Sequence, residues 1–233
     1  MPTLTPTAAT GATAKVGPMV YVDPARMQPA DAFAELLADT PLNGLFVADL
    51  LSSMLSHERA GAHLYRSVQG RTRNPVLERQ YEHFGEETRE HVGILEGLIA
   101  QLGGDAQYVS PAARATEKAA TALVESTFLL GGSLDLVDRE LVMLEAVFLA
   151  EAKDQANWEC FAQLAAALPE SDTRAAFEAA AEQVASQEDE HFLWARETRS
   201  LLISAQAQSS LVVDATSPIE EQIALVESLI EQH

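Results

Sequence analysis

Four segments of this sequence place acidic side chains where a helix would turn its apolar face inward. The first and third segments each offer a lone glutamate, whereas the second and fourth each offer a glutamate about one turn before a histidine. An ionised carboxylate that is buried without a partner is too costly to keep in an apolar core. The pattern therefore predicts a site that binds metal. The candidate ligands are Glu58, Glu87, His91, Glu151, Glu188 and His191.

The ligand types and their spacing indicate a dinuclear centre. Four carboxylates balance the charge of two divalent ions, and two histidines complete the coordination as neutral donors. Oxygen ligands combined with imidazole suit iron or manganese; zinc is possible, whereas calcium fits poorly. Side chains three or four positions apart project from the same side of a helix, so one helix can supply a carboxylate and an imidazole together. All six residues are predicted to anchor metal, and none to carry protons.

Helices are predicted to position these ligands, because the chain is rich in alanine and poor in β-branched residues. The expected fold class is all-α, and cap-plus-proline pairs such as Asn74-Pro75 mark where helices begin. On each main helix the candidate ligands fall within or beside the apolar stripe. The main helices are predicted over residues 40–69, 75–102, 135–167 and 172–204.

The same pattern predicts three regions along the chain. Residues 1–40 are expected to form an extended N-terminal arm with a short helix at 31–39, and residues 41–204 the body that carries the ligands. Residues 205–233 are expected to form a linker and an amphipathic C-terminal helix. Within the body, a long connection over 105–134 lets the third main helix run parallel to the second.

Composition narrows the range of partners. The net charge of -20 argues against nucleic acid and anionic membrane as partners, and it either attracts cations or only keeps the protein soluble. A single cysteine, Cys160, excludes an internal disulfide and thiolate-bound iron or zinc; we expect it to be a small buried hydrophobe. With no secretory signal or membrane-spanning run recognised, a cytoplasmic location is expected.

The helical positions of several neighbours of the candidate ligands predict their surroundings. Tyr65 follows Glu58 by seven residues, as Trp158 follows Glu151, which is a weak internal repeat. Both aromatic residues are expected to pack in the core, with Tyr65 also able to hydrogen-bond a ligand carboxylate. Surface or interface positions are expected for His57, His63 and His83. An outward direction is expected for Asp154, and a role in holding a ligand for Gln155.

Residues 44–203 resemble the ferritin-like superfamily, which includes bacterioferritins, rubrerythrins and manganese catalases. The resemblance rests on Glu58 with Tyr65, on Glu-Glu-Thr-Arg-Glu-His91, on Glu151 and on Glu188-Asp-Glu-His191. It implies a four-helix bundle with a long crossover connection and additional short terminal helices. Since Cys160 is the only cysteine, the rubredoxin-like domain of rubrerythrins is missing.

What the resemblance implies about function is oxidoreductase chemistry at two iron ions, or alternatively at manganese. Dioxygen or peroxide would be the co-substrate of a ferroxidase-like reaction, and the chain would form a homodimer. The second segment departs from the family pattern, because Thr88 stands three residues before His91 and Glu87 stands four before it. That segment is also similar to a smaller group of ferritin-like bacterial stress proteins. Two alternatives thus stay open: a di-manganese enzyme that disproportionates peroxide, and a non-enzymatic stress or scaffold protein that binds little metal.

Overall fold

The computed structural model describes residues 37, 40–129, 136–207 and 219–230, and all regular structure among them is helical. The predicted all-α class is confirmed for this part of the chain. The expected arm and most of the short helix at 31–39 lie outside the described residues. The helices are α1 (Gly44–Gln69), α2 (Pro75–Gln101), α3 (Pro111–Ser126), α4 (Leu136–Ala167), α5 (Asp172–Ala207) and α6 (Ile219–Ile230).

Side-chain caps set where the first helices begin. The Asn74 side chain accepts from two backbone N–H groups of the first turn of α2, as its position before Pro75 predicts. For α1 the expected start at Thr40-Pro41 is wrong, because Asn43 provides the cap by accepting from the backbone N–H of Phe46. The Thr40 hydroxyl instead donates to the Leu37 carbonyl in the preceding turn.

Two apolar clusters divide the core along its length. One cluster includes the first half of α1, the end of α2, the end of α4 and the start of α5. The other includes the end of α1, the start of α2, the first half of α4 and the second half of α5. Each of the four long helices has one segment in the first cluster and another in the second, and its candidate ligands lie between these two segments. The helices therefore hold a buried polar layer between two apolar ones.

The order in which each helix meets these clusters gives its direction. The chain passes from the first cluster to the second along α1 and α5, and from the second to the first along α2 and α4. The expectation that α4 runs in the same direction as α2 is therefore confirmed. The connection that permits this carries α3, whose main packing partner is α1, and α6 packs on α4 and α5. Among the described helices, none is both long and apolar enough to cross a membrane.

Candidate metal centre

The polar layer contains two groups of possible metal ligands that share one residue. The first group is Glu58, His91 and Glu188, and the second is Glu151, Glu188 and His191; within each group the ligand atoms lie within 4.8 Å of one another. Each long helix contributes to at least one of these groups. All five residues are buried, none more than 3 % exposed. Five of the six sequence-predicted ligands are thus brought together, with Glu188 between the two groups.

The two histidines approach the carboxylates through their Nδ1 atoms. His91 Nδ1 lies 3.0 Å from Glu188 Oε1 and 3.6 Å from Glu58 Oε2. His191 Nδ1 lies 3.4 Å from Glu151 Oε2 and 3.7 Å from Glu188 Oε1. These atoms lie at ion-pair distances, but none has a partner at hydrogen-bond geometry, although all are buried. Buried polar atoms without partners are costly, and atoms that converge without bonding one another fit a cation bound among them.

The other oxygen of each lone glutamate is held by an aromatic donor from the neighbouring helix. Trp158 Nε1 donates to Glu58 Oε1 at 2.7 Å, and the Tyr65 hydroxyl donates to Glu151 Oε1 at 2.9 Å. The internal repeat therefore has a structural counterpart, because α1 and α4 exchange equivalent hydrogen bonds. Each bond fixes one carboxylate oxygen and leaves the second directed toward the histidines, as donors that hydrogen-bond to ligands do in metal sites.

Glu87 does not lie in either ligand group. It is 18 % exposed at its side chain, and its Oε2 lies 2.9 Å from Nε2 of His191, on the side of the imidazole away from the groups. Its other oxygen accepts from Gln187 Nε2 at 2.7 Å, and Gln187 Oε1 lies 3.1 Å from Nε2 of His91. Position 88, three residues before His91 as Glu188 is three before His191, holds a buried threonine whose hydroxyl donates to the Phe84 carbonyl.

This outer network sets the tautomer of both histidines. A carboxylate only accepts, so His191 must donate from Nε2, and the amide of Gln187 must turn its NH2 group toward Glu87. The Gln187 oxygen then faces His91, which must also donate from Nε2. Both imidazoles consequently present Nδ1 to the interior, where its lone pair becomes available to a metal once Nδ1 has lost its proton. Burial alone would raise the pKa of Glu87, but hydrogen bonds from His191 and Gln187 lower it, so its carboxylate is ionised.

Gln187 was missed by sequence reasoning, although a signal existed. It stands four residues before His191, as Glu87 stands four residues before His91. The two outer residues are therefore equivalent positions of the two halves. A helical pattern indicates that both lie near the histidine face, but it does not show which imidazole nitrogen each one meets.

Four other expectations about neighbouring side chains are wrong. Asp154 does not face outward; it is 4 % exposed, and its Oδ1 has no hydrogen-bond partner. His57 is buried as well, with Nε2 3.0 Å from the Ala150 carbonyl oxygen, because it lies where α1 packs on α4. Cys160 is exposed rather than buried. Gln155 was expected to hold a ligand, but its amide donates to Asp189 near the surface. His63 is exposed, as expected.

Burial and mutual charge strongly shift the pKa values of this layer. Burial, followed by repulsion from Asp154, raises the pKa of Glu58 to about 8 and that of Glu188 to about 9. Burial disfavours the charged imidazoles, but the adjacent carboxylates outweigh it and raise the pKa of His91 to about 11 and that of His191 to about 9. At neutral pH the ligands therefore hold protons that a cation would displace.

In the part of the chain that the structure describes, fold and site define an all-helical arrangement with buried Glu/His groups that have the composition and geometry to hold metal. Comparison with protein-family models, with curated proteins and with solved structures finds no match for the chain.

Proposed function

We propose that this chain is a ferritin-like, four-helix-bundle oxidoreductase that binds two iron ions and oxidises iron(II) with dioxygen or peroxide. The observation that carries the proposal is the pair of ligand groups that share Glu188, with every inward-facing nitrogen and oxygen of the five residues lacking a hydrogen-bond partner. A single buried Glu/His pair would fit an ordinary ion pair. Two adjacent groups joined by one carboxylate fit two ions bound side by side.

The residues have distinct parts in this proposal. Glu58 and His91 would hold one ion, Glu151 and His191 the other, and Glu188 would bridge them. Iron in such a centre supplies electrons to the oxidant. The protein excludes bulk water by burying the layer between two apolar clusters, and it keeps both Nδ1 atoms directed inward through the outer hydrogen-bond network.

The alternatives are separated by metal content and reaction. Manganese suits the same oxygen and imidazole ligands, so a peroxide-disproportionating enzyme is the second candidate. The threonine at position 88 favours the third candidate, a scaffold that binds little metal, because it removes one carboxylate from the usual set. Elemental analysis of the purified protein, followed by anaerobic Fe²⁺ titration and exposure to air, distinguishes them. Two iron ions per chain and rapid oxidation are expected; absence of bound metal after loading with iron or manganese would refute the proposal.

Two substitutions test the shared ligand. Glu188→Gln should weaken both metal positions, because Glu188 belongs to both groups, whereas Glu151→Gln should leave the Glu58/His91 position occupied. Glu159→Gln is the matched control, since Glu159 lies on α4 but is exposed. Equal effects of the first two variants would contradict the assigned bridge. The homodimer remains a prediction, which light scattering of the full chain would test.

A further inference from the structure

A cleft of about 630 Å³ lies between α1 and α3, on the face of α1 that is turned away from Glu58. The two helices are joined near each end of it. The hydroxyls of Ser53 and Thr116 lie 2.7 Å apart, and the Arg71 guanidinium donates to Thr127. Fixed helices therefore hold the cleft open between these contacts, and its volume is in the range of small-molecule sites.

The two walls of the cleft differ in character. On α1 a donor row follows an interval of four residues, and it consists of Arg59, His63 and Ser67. An apolar row with the same interval comes from α3 and the turn after it, and it consists of Ala120, Val124 and Phe128. Each row covers about 12 Å of chain at the helical rise. An elongated molecule can therefore contact donors on one side and hydrocarbon on the other.

Neighbouring contacts fix the donor row. Arg59 Nη2 donates to Glu96 Oε1 at 2.7 Å and to a backbone carbonyl at 3.3 Å, which holds the guanidinium at the cleft. Arg66 Nη2 lies 2.5 Å from His63 Nδ1. Because a guanidinium only donates, Nδ1 must accept, so Nε2 of His63 carries a proton. Ser67 Oγ is buried and has no hydrogen-bond partner. The row thus presents N–H and O–H groups that suit an acceptor.

The charge of this face of α1 is opposite to that of the whole chain. The net charge is -20, yet from residue 50 to residue 69 the one acidic side chain is Glu58, which lies in the buried layer. The same stretch carries Arg59, His63 and Arg66 at or near the surface. Across the cleft, Glu117 is the one acid among the lining residues. An anion is therefore favoured, and a carboxylate, which only accepts, bonds most strongly to charged donors.

We propose that the cleft binds a small amphipathic carboxylate, whose carboxylate contacts the donor row and whose alkyl chain lies along the apolar row. This site is separate from the proposed metal centre, because it uses the opposite face of α1. Binding should consequently need no metal.

The test is calorimetric titration of the metal-free full chain with sodium decanoate, and with decan-1-ol as a probe of the same length that lacks the charge. Wild type should bind one decanoate per chain, and should bind decan-1-ol at least about tenfold more weakly. Arg59→Gln should weaken decanoate binding by about tenfold and leave decan-1-ol unchanged. Thr121→Trp should abolish binding of both probes, because Thr121 lines the cleft and a larger side chain would fill it. Arg79→Gln and Ala122→Trp are the matched controls, since both residues are exposed and neither lines the cleft.

Carbethoxylation followed by mass spectrometry locates the bound probe on the chain. Decanoate should slow the modification of His63 several-fold and leave that of His83, which is exposed on α2, unchanged. This readout needs no substitution, so it decides the location even if Thr121→Trp lowers stability.

Absence of saturable decanoate binding to wild type would overturn the inference, and so would binding that Thr121→Trp leaves unchanged. Equal affinity for decan-1-ol would show that the carboxylate is not recognised and would overturn it as well. If decanoate does not bind and Thr121→Trp instead converts a dimer to a monomer in light scattering, a second copy covers the cleft and the inference is wrong. The proposed function is unaffected by each of these results, because its own test is metal binding.

Discussion

Metal binding to this layer should release protons, and the number released tests the electrostatics of the site directly. The ligands are buried at close range, so each can bind a cation only after losing its proton. The perturbation is the addition of Fe²⁺ or Mn²⁺ to the metal-free protein at pH 7.

The magnitude follows from four groups with pKa values above 7. The pKa of Glu58 is raised to about 8 and that of Glu188 to about 9, in both cases chiefly by burial. Nearby carboxylates overcome the effect of burial and raise the pKa of His91 to about 11 and that of His191 to about 9. Filling both positions at pH 7 should therefore displace up to about four protons. The apparent affinity should rise with pH between 6 and 8, since fewer protons then need to be displaced.

The assay is calorimetric titration in three buffers of different ionisation enthalpy at the same pH. The slope of the observed enthalpy against buffer enthalpy gives the number of protons released. A second measurement with a pH indicator in weakly buffered solution gives the same number independently. Glu188→Gln is the informative variant, because it removes one carboxyl proton while keeping the shape of the side chain.

Release of fewer than about one proton for two bound ions would refute this reasoning. Such a result would mean that the carboxylates are already ionised at pH 7 and the imidazoles neutral. The wild-type count is compared with that of Glu159→Gln, whose exposed side chain should not change it.

Three further predictions concern pH and the groups around the ligands. In the native state Glu58 and Glu188 keep their protons up to pKa values of about 8 and 9, whereas an unperturbed glutamate has a pKa of 4.5. The free energy of unfolding of the metal-free protein is therefore highest below pH 4.5 and falls as the pH rises from there through 8–9. Urea unfolding at pH 5 and pH 6 should show a loss of up to about 2.7 kcal/mol over that one pH unit. Glu87→Gln lets the Gln187 amide reverse and donate to Nε2 of His91. The imidazole proton of His91 would then move to Nδ1, the atom that faces the ligand group. Calorimetry should show the affinity for metal lowered by about 10–100-fold. Trp158→Phe removes the donor to Glu58 and should cost about 1–3 kcal/mol in urea unfolding.

Much of the fold could be predicted because local signals agree with the packing. The cap-plus-proline pair at Asn74 and the apolar stripes of the long helices give both boundaries and faces. Glu58, Glu151 and Glu188 lie within these apolar stripes, and they are buried because the stripes face the core. The start of α1 was misplaced by three to four residues because two adjacent segments each offer a polar cap before a run of apolar residues.

The candidate site was less predictable where helical position leaves two outcomes. Residues three and four before a histidine lie on the same side of the helix, so the sequence placed Glu87 near His91 but did not show that it meets the outer nitrogen of His191 on α5. For Asp154 the signal was present, since Glu151, Asp154 and Trp158 recur at helical spacing. It was overridden by the general rule that an aspartate faces solvent.

The placement of Glu87 outside the ligand groups makes the two groups dependent on each other in two ways. Inside the layer, Glu188 is shared by both groups; outside it, the single carboxylate of Glu87 orients His191 directly and His91 through Gln187. A change to either residue must therefore reach both positions. Any difference between the groups has to come from residues that belong to one of them only, which are Glu58 and His91 in the first and Glu151 and His191 in the second.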